Sequence, residues 1–402
     1  MMPKAMHPSS GRSKSLGILK RLGITKVSGT QLFKAASASF ARLMYRTRAG
    51  TLVVGSLPEG CNLCLKGAKL VLFVTGLCAR RCFYCPLSRS KKDRDLIYAN
   101  ERPVTKDEDL LSEAEAMDAK GAGFTGGDPM LKPERTLHFL KLLKQHYGEG
   151  FHVHLYTTPQ RHLSVEALRL LSKAGLDELR LHPDLKDIEG CARAVKVASE
   201  EGLTVGVEVP AIPGAMDSLL KLAEAAEEAG AKFMIINELE MNEENSFQLR
   251  VRGFKIKPDS ISAVEGSEEV AFTLLSFIEE KLSLNAHFCP AQAKDAYQYK
   301  GRLKRMALRA ARPFEEVTED GLLRRGEVTG PLPLLLRLAS WLKSKAMLHE
   351  HMLHLDEAAS KLESTVEALR MAKRAGVLEG LEAFIVEEYP TFDRRRCSTS
   401  PL

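Results

Sequence analysis

The chain has 402 residues, of which 44% are hydrophobic and 27% charged, a composition typical of globular proteins. It contains no apolar run long enough to cross a bilayer and no secretory signal, so we expect a cytoplasmic protein whose eight cysteines are metal ligands or reactive thiols. The net charge of +6 is uneven, because residues 1–50 carry ten Lys or Arg and no acidic residue, which leaves −4 for the rest.

The first region in chain order is a basic extension, residues 1–60. A basic segment without acids can contact nucleic-acid phosphates, but a solvated arm and an organelle-targeting peptide have the same composition. After the extension comes a Cys-x2-Cys knuckle, Cys61 and Cys64, which needs distant partners to close around a metal. Cys289 and His287 in "AHFCP" can supply them, either to zinc or to a second [4Fe–4S] cluster; the alternative is that Cys289 is a buried core cysteine.

Short apolar segments alternate with amphipathic ones in the region 61–290 and predict six β/α units. The strands are expected at 68–76, 121–127, 152–158, 178–182, 204–210 and 232–238, and the repeat stops at about residue 240. Several of the amphipathic segments end in glycine, as helices commonly do. Units of this length form an α/β fold with a parallel sheet, either open or partly closed into a barrel.

Three cysteines follow the first predicted strand, in the stretch "LVLFVTGLCARRCFYCPLS". Cys78, Cys82 and Cys85 can hold three irons of a [4Fe–4S] cluster and leave the fourth iron without a protein ligand. An open iron suits a cluster that binds a second molecule, and S-adenosylmethionine can chelate such an iron. The loop also lies at the carboxyl end of a strand, where barrels and open α/β sheets carry their active sites. The alternatives are a zinc site and unrelated buried cysteines.

Polar residues also end the later strands, and at the carboxyl rim of a barrel such residues are more often functional than at the opposite rim. The candidates for ribose and substrate contacts are His154, Tyr156, Thr157, His182, Glu208, Asn237, Glu238 and Glu240. The alternative for each histidine is a structural role.

Residues 291–330 are predicted to form a basic helix and a hairpin that turns at Asp320 and Gly321. The segment 295–312 has six cations and one acid, and with the basic extension it can form a positive rim for tRNA; pairing of these cations with acids is the alternative. Residues 331–402 are predicted to form a compact helical module with helix–turn–helix rhythm and a short strand or wing. This module carries ten cations and ten anions, unlike the positive excess usual in DNA-binding domains.

The stretch Cys78-x3-Cys82-x-Tyr84-Cys85 resembles the signature of the radical S-adenosylmethionine (radical SAM) superfamily. The resemblance covers the six β/α units and implies that superfamily's partial (β/α)6, TIM-like barrel. The basic extension and a small, winged-helix-like module would then be additions at its two ends. The wider pattern, with "CFYCPLS" and "CNLCLKGAK", is most similar to a mainly archaeal group related to pyruvate formate-lyase-activating enzyme.

The resemblance also implies cofactors and site residues. Gly126, Gly127 and Asp128 match the superfamily's Gly-Gly-Glu-like turn, which receives the methionine amino group, with Asp in place of Glu. Tyr84 is placed to contact adenine. Further cofactor contacts are assigned to Tyr156, His182 and Glu208. The implied cofactors are a [4Fe–4S] cluster and S-adenosylmethionine, which one electron cleaves to methionine and a hydrogen-abstracting 5′-deoxyadenosyl radical.

The leading hypothesis is a radical SAM enzyme that takes its electron from a low-potential, ferredoxin- or flavodoxin-like donor. Its substrate can be tRNA, a protein or a small metabolite, and no membrane association is expected. A glycyl-radical-enzyme activating protein is the alternative within this class. A non-catalytic, metal-stabilised nucleic-acid-binding protein is the alternative from a different class.

Overall fold

The structure, a computed structural model, describes residues 43–160 and 162–402, so most of the predicted basic extension lies outside the described residues. The main sheet has eleven strands. In chain order they are β1 (Met44–Arg46), β2 (Leu52–Val54), β3 (Lys69–Thr75), β4 (Tyr98–Ala99), β5 (Arg102–Pro103), β6 (Gly121–Gly126), β7 (His152–Thr157), β8 (Glu178–Leu181), β9 (Thr204–Ala211), β10 (Phe233–Glu238) and β11 (Asn285–Cys289). Their order across the sheet is β1-β2-β11-β10-β9-β8-β7-β6-β3-β4-β5.

Seven neighbouring strands of this sheet run parallel, from β3 through β6, β7, β8, β9 and β10 to β11. The first six correspond to the six strands predicted from the sequence. The prediction that the repeat stops at about residue 240 is wrong, because β11 continues it as a seventh parallel strand. β11 was missed since its five residues, "NAHFC", contain two polar side chains and no continuous apolar run.

Eleven α-helices of six or more residues accompany the two sheets in the described residues. They are α1 (Glu59–Leu65), α2 (Asp107–Ala116), α3 (Pro133–Tyr147), α4 (Val165–Lys173), α5 (Ile188–Glu200), α6 (Met216–Glu228), α7 (Ser246–Val251), α8 (Ser267–Lys281), α9 (Lys300–Ala310), α10 (Leu332–Ser344) and α11 (Val366–Arg374). The turn Ala291–Ala293 and the π-helical segment Lys294–Tyr299 lead into α9. Helices α2 to α6 and α8 cover the parallel strands with apolar faces that join one core.

In the part of the chain that the structure describes, no helix is both long and apolar enough to cross a membrane.

The main sheet is open in its hydrogen bonding, since β3 pairs with β4 and β11 pairs with β2 rather than with each other. The strands nevertheless curve around a common interior. Lys69 at the start of β3 and Cys289 at the end of β11 line one cavity, although five strands lie between them in the sheet. Strands β1 and β2 extend this sheet, so the first domain begins before residue 61, the boundary predicted from the sequence.

The C-terminal region is built on a second, antiparallel sheet. Its strands are β12 (Glu316–Val317), β13 (Leu323–Thr329), β14 (Leu353–Asp356), β15 (Lys361–Ser364), β16 (Glu382–Glu388) and β17 (Arg396–Pro401). The order is β14-β15-β13-β16-β17, with β12 paired to β13. Helices α10 and α11 pack on this sheet through a separate core that includes Leu338 and Leu369.

Two sequence predictions about this region need correction. The hairpin at Asp320 and Gly321 forms as predicted, but β13 is the central strand of the second sheet, so the boundary predicted at residue 331 divides one module. The description of residues 331–402 as a helical, winged-helix-like module is incomplete, because four strands of the sheet lie there with the two helices. The strong helical periodicity of α10 and α11 predicts a helical module. The short, charged strands β14 and β15 between these helices have no comparably strong pattern.

Candidate active site

A cavity of about 640 Å³ lies at the carboxyl ends of the parallel strands, and we call it the outer cavity. The three cysteines of the loop after β3 line it. The strand-end residues that line it are Tyr156, Thr157, His182, Glu208, Asn237, Glu238 and Glu240. His154 does not reach the cavity, since it is fully buried against Gly60 and Gly123. Seven of the eight strand-end candidates therefore converge on one site.

The loop that carries the cysteines is closed at its base by backbone hydrogen bonds. Gly76 N donates to Arg94 O at 2.8 Å, and Asp93 N donates to Gly76 O at 3.0 Å. A Cβ at Gly76 would lie 1.8 Å from the Lys91 carbonyl oxygen, so this closure requires glycine. The loop thus leaves the end of β3 and returns to it as one anchored unit that presents Cys78 to Cys85 to the outer cavity.

The sulfurs of Cys78, Cys82 and Cys85 are half-buried and free. Burial raises the pKa of the Cys78 and Cys82 thiols. A single zinc ion at about 2.3 Å from each sulfur would draw the sulfurs to about 4 Å from one another. Among the described residues, the group of three metal-ligating side chains whose donor atoms lie within 4.8 Å of one another is His152, His154 and Glu178, and it contains no cysteine. At least two of the three loop sulfurs therefore lie farther apart than one zinc ion requires.

Tyr84 and His182 join the cysteine loop to the ends of β8 and β9. His182 Nδ1 lies 2.8 Å from the Glu208 carbonyl oxygen, which can only accept, so Nδ1 carries the proton. Nε2 then accepts from the Tyr84 hydroxyl at 3.0 Å. Burial lowers the pKa of His182, and the neutral ring agrees with this arrangement. Arg80 of the loop also donates to the His182 carbonyl at 2.8 Å, so the loop is fixed against the sheet.

The turn after β6 packs directly on the start of the cysteine loop. Gly127 N donates to Thr75 O at 2.7 Å, and Asp128 N donates to Leu77 O at 2.7 Å. A Cβ at Gly127 would lie 2.2 Å from the Leu77 oxygen, and Gly126 has a φ of +139° with its Cβ position 2.2 Å from the Thr75 oxygen. Both glycines are therefore required for the close approach, and both line the outer cavity.

The Asp128 carboxylate does not line the outer cavity, although the turn that carries it was expected to receive the methionine amino group. It is fully buried and is not among the residues that line the cavity. It accepts hydrogen bonds from the hydroxyls of Thr157 and Thr158, from His162 and from Met130 N, at 2.5–3.1 Å. These donors use its oxygens, so the carboxylate holds the turn and does not face a ligand ammonium.

We expect Asp128→Asn to lower the free energy of unfolding by about 1–3 kcal/mol, because the amide turns a donor toward groups that need an acceptor. Burial alone raises the pKa of Asp128, but the bonds from His162, Thr158 and Thr157 outweigh it and lower the pKa. A depressed carboxyl pKa stabilises above about pH 4, and this contribution is lost as the pH falls further. Denaturant titration of the apoprotein at pH 7 and pH 3 should show the deficit at pH 7 and a smaller one at pH 3.

The matched control for this prediction is Asp187→Asn. Asp187 caps α5 by accepting from Gly190 N at 2.9 Å, and asparagine is an equally good cap. An Asp128→Asn variant as stable as this control at pH 7 would contradict the anchoring role.

Arg180 was missed by sequence reasoning and organises the interior below the outer cavity. Its guanidinium is 2% exposed and pairs with Glu178 at 2.6 Å and Glu208 at 3.3 Å. It also donates to the Tyr156 hydroxyl at 3.0 Å. Glu208 accepts in addition from Asn237 at 2.9 Å. The available signal was a charged residue within the apolar strand "ELRLH".

A second cavity of about 200 Å³, the inner cavity, adjoins the outer one and shares Lys69, Tyr156, Glu208, Asn237 and Lys294 with it. Cys61, Cys64, Cys289 and His287 all line the inner cavity. The structure thus brings together the four residues that sequence reasoning grouped.

Most of the described cations of the predicted positive rim form ion pairs with carboxylates. Arg302 pairs with Glu101, Arg305 with Asp118, Lys300 with Asp320 and Arg312 with Glu363. None of the cations of 295–312 lines the outer cavity. The alternative of pairing with acids is correct for these four cations. The other half of the rim, residues 1–42, lies outside the described residues.

Comparison with known proteins identifies relatives of the chain. The family model of the radical SAM superfamily matches residues 72–224. A protein of Methanocaldococcus jannaschii, provisionally named a glycyl-radical enzyme activating enzyme, is 48% identical over 278 residues, covering 67% of this chain and 73% of that protein.

Two solved structures are similar at lower identity. SuiB of Streptococcus suis bound to S-adenosylmethionine shares 13% identity with a TM-score of 0.43, over 59% of this chain and 56% of that chain. The structure of anSMEcpe with bound AdoMet and the Kp18Cys peptide shares 15% identity with a TM-score of 0.33, over 42% and 50% of the two chains. The chain thus spans about half the length of these two structures.

Proposed function

The chain belongs to the radical SAM superfamily and is a radical SAM enzyme, and from this premise we propose that its substrate is a protein from which it removes a hydrogen atom. We further propose that the seven parallel strands form the partial barrel of that superfamily. The observation that carries the proposal is the outer cavity, on which the cysteine loop, the glycine turn and seven polar strand ends converge.

The residues of the outer cavity fit the cofactors of this family. Three free, half-buried thiols in one loop suit a [4Fe–4S] cluster held by Cys78, Cys82 and Cys85. Gly126 and Gly127 leave backbone exposed beside them, as a ligand that approaches closely requires. The volume of about 640 Å³ lies in the range of small-molecule sites.

When bound, the cluster and S-adenosylmethionine supply a one-electron cleavage that yields methionine and a 5′-deoxyadenosyl radical. The chain's own residues bind and orient the reactants. In the proposal, Tyr84 lies beside adenine, its hydroxyl held by His182, while Tyr156, His182 and Glu208 offer the remaining polar contacts. The Arg180 network fixes Tyr156 and Glu208 in place, which favours one orientation of the bound ligand. A low-potential, ferredoxin- or flavodoxin-like protein is proposed as the electron donor.

A protein substrate is favoured by exposed apolar side chains that lie close in sequence to residues of the outer cavity. Phe247 and Val251 are 71% and 69% exposed and lie one helical turn apart on α7. Ile261 is 88% exposed and precedes Ser262, which lines the cavity. Exposed apolar side chains grouped beside a site are typical of protein contacts. The name of the Methanocaldococcus relative, an activating enzyme for a glycyl-radical enzyme, points to the same class of substrate.

The tRNA hypothesis has less support, because four of the six cations in 295–312 are neutralised by carboxylates. A non-catalytic nucleic-acid-binding role is also disfavoured, since the family match covers the site and the C-terminal module combines equal numbers of cations and anions.

The direct test combines the reduced protein, S-adenosylmethionine and a purified, inactive glycyl-radical enzyme under anaerobic conditions. We expect 5′-deoxyadenosine and a carbon-centred radical signal in EPR, in equal amounts, and a parallel reaction with tRNA should give neither above background. Stimulation of cleavage by tRNA alone would contradict the proposal.

We expect the double variant Phe247→Ser/Val251→Ser to reduce radical formation on the protein substrate about 30-fold at low substrate concentration, because two exposed apolar contacts are worth about 2 kcal/mol in an interface. Cleavage of S-adenosylmethionine without substrate should stay unchanged. Leu308→Ser is the matched control, since Leu308 is 73% exposed on α9. Equal effects of the two changes would contradict a docking role for α7.

A further inference from the structure

The inner cavity contains more metal-ligating groups than the proposed reaction uses. Three cysteines, Cys61, Cys64 and Cys289, are buried, with 5–8% of each exposed, and all line this cavity. His287 lines it too, is 2% exposed, and neither ring nitrogen has a hydrogen-bond partner among the described residues. Buried imidazole nitrogens normally have partners, so two unpaired nitrogens beside three thiols point to a ligand that occupies the cavity.

The helix and strand that carry these four residues place all four side chains at the inner cavity. Cys61 and Cys64 are three residues apart on α1 and therefore lie on one face of that helix. His287 and Cys289 are two residues apart on β11 and therefore lie on one face of that strand. The helix precedes β3 and the strand is the last parallel one, so only the curvature of the sheet brings the two pairs together.

The charged side chains around the inner cavity also favour an anionic group inside it. Arg180 is neutralised by Glu178 and Glu208, and Lys294 is paired with Glu240. Lys69 lines the inner cavity together with Cys64 and has no carboxylate within ion-pair distance among the described residues. A half-buried ammonium without a counter-charge is costly. Three thiolates around a doubly charged metal centre carry one net negative charge, which balances Lys69.

At least two of the donors lie farther apart than a single ion requires. A tetrahedral zinc ion would draw three sulfurs to about 4 Å from one another. No three metal-ligating side chains that include these cysteines have their donor atoms within 4.8 Å in the described residues. A cluster, in which each sulfur binds a different iron, accepts a wider spacing.

We propose that Cys61, Cys64 and Cys289 hold a second iron–sulfur cluster of the [4Fe–4S] type in the inner cavity, with His287 as its fourth donor. The two cavities adjoin and share Lys69, Tyr156, Glu208, Asn237 and Lys294, so this cluster faces the space where the substrate is bound. The proposal is independent of which substrate the enzyme takes.

Metal analysis of the anaerobically prepared full chain tests this. We expect about eight irons and eight sulfides per chain in the wild type. Cys61→Ala, Cys64→Ala and Cys289→Ala should each lose about half of them. Cys191→Ala is the matched control, because Cys191 is fully buried in α5 away from both cavities, and it should keep the full content.

The variant with Cys78, Cys82 and Cys85 all replaced by alanine separates the two sites. It should keep about four irons, and the EPR signal of its reduced cluster should not respond to S-adenosylmethionine. In that background, His287→Ala should remove the nitrogen coupling of the imidazole from pulsed EPR spectra. Four irons in the wild type, or four irons with one zinc that Cys61→Ala removes, would overturn the proposal. Either result would leave the proposed function, which depends on the other cluster, intact.

Discussion

Release of 5′-deoxyadenosine is expected to fall to background when Cys78, Cys82 or Cys85 is replaced by alanine. Each thiolate holds one iron in the proposed cluster, so a missing sulfur leaves two irons without a protein ligand. Loss of a group that merely orients a metal ligand commonly costs about 10–100-fold in activity, and loss of a ligand should exceed about a hundredfold. The measurement is chromatographic quantification of 5′-deoxyadenosine after anaerobic reduction.

Two controls make this result specific. Circular dichroism should be unchanged, because the three sulfurs are half-buried and lie in a loop whose base is closed by backbone bonds at Gly76. Cys397→Ala removes an exposed cysteine on β17 and should leave the rate as in the wild type. If any one of the three loop variants cleaved S-adenosylmethionine at the wild-type rate, the assignment of that cysteine as a cluster ligand would be wrong.

The largest effect on stability is expected for Arg180→Met. The change removes a buried guanidinium that pairs with Glu178 and Glu208 and leaves both carboxylates in the interior without it. Breaking a buried pair from one side typically costs about 3–5 kcal/mol, since an uncompensated charge remains. The free energy of unfolding of the apoprotein, obtained from chemical denaturation followed by circular dichroism, should fall by that amount.

Arg169→Met provides the comparison for this prediction. Arg169 also pairs with two glutamates, Glu166 and Glu201, but its side chain is 44% exposed. Exposed ion pairs contribute little, because water screens the charges and solvates whichever partner remains. If Arg180→Met and Arg169→Met lowered the denaturation midpoint equally, the buried network would not support the interior as described.

The second sheet shows why part of the fold escaped prediction. Helices α10 and α11 have strong apolar periodicity, and a helical module was inferred from them. Strands β14 and β15 have four residues each and alternate charged with apolar side chains over too short a length to be distinctive. The pairing of β15 with β13 depends on contacts between segments up to about 40 residues apart, and β14 joins the sheet through β15; local pattern does not encode either contact.

The orientation of the Asp128 side chain likewise depends on distant residues and could not be predicted from local sequence pattern. Sequence similarity placed it in the turn that receives a ligand, and the turn is indeed at the outer cavity through Gly126 and Gly127. The direction of the Asp128 side chain depends on Thr157, Thr158 and His162, which lie at the end of β7 or just after it, about 30 residues away. Only the parallel pairing of β6 with β7 brings those donors to the carboxylate.

The sequence by itself determined the features that depend on spacing within one segment. The ligand loop from Cys78 to Cys85, the glycine turn and six parallel strands belong to this class, because periodicity and glycine geometry are local properties. Tertiary structure decided what depends on distant partners: the burial of Asp128, the pairing of Arg302 and Arg305 with acids, and the meeting of Cys61 with Cys289. Burial, charge neutralisation and ligand geometry all arise from groups that the curvature of the sheet brings together, and that curvature is a property of the whole packed chain.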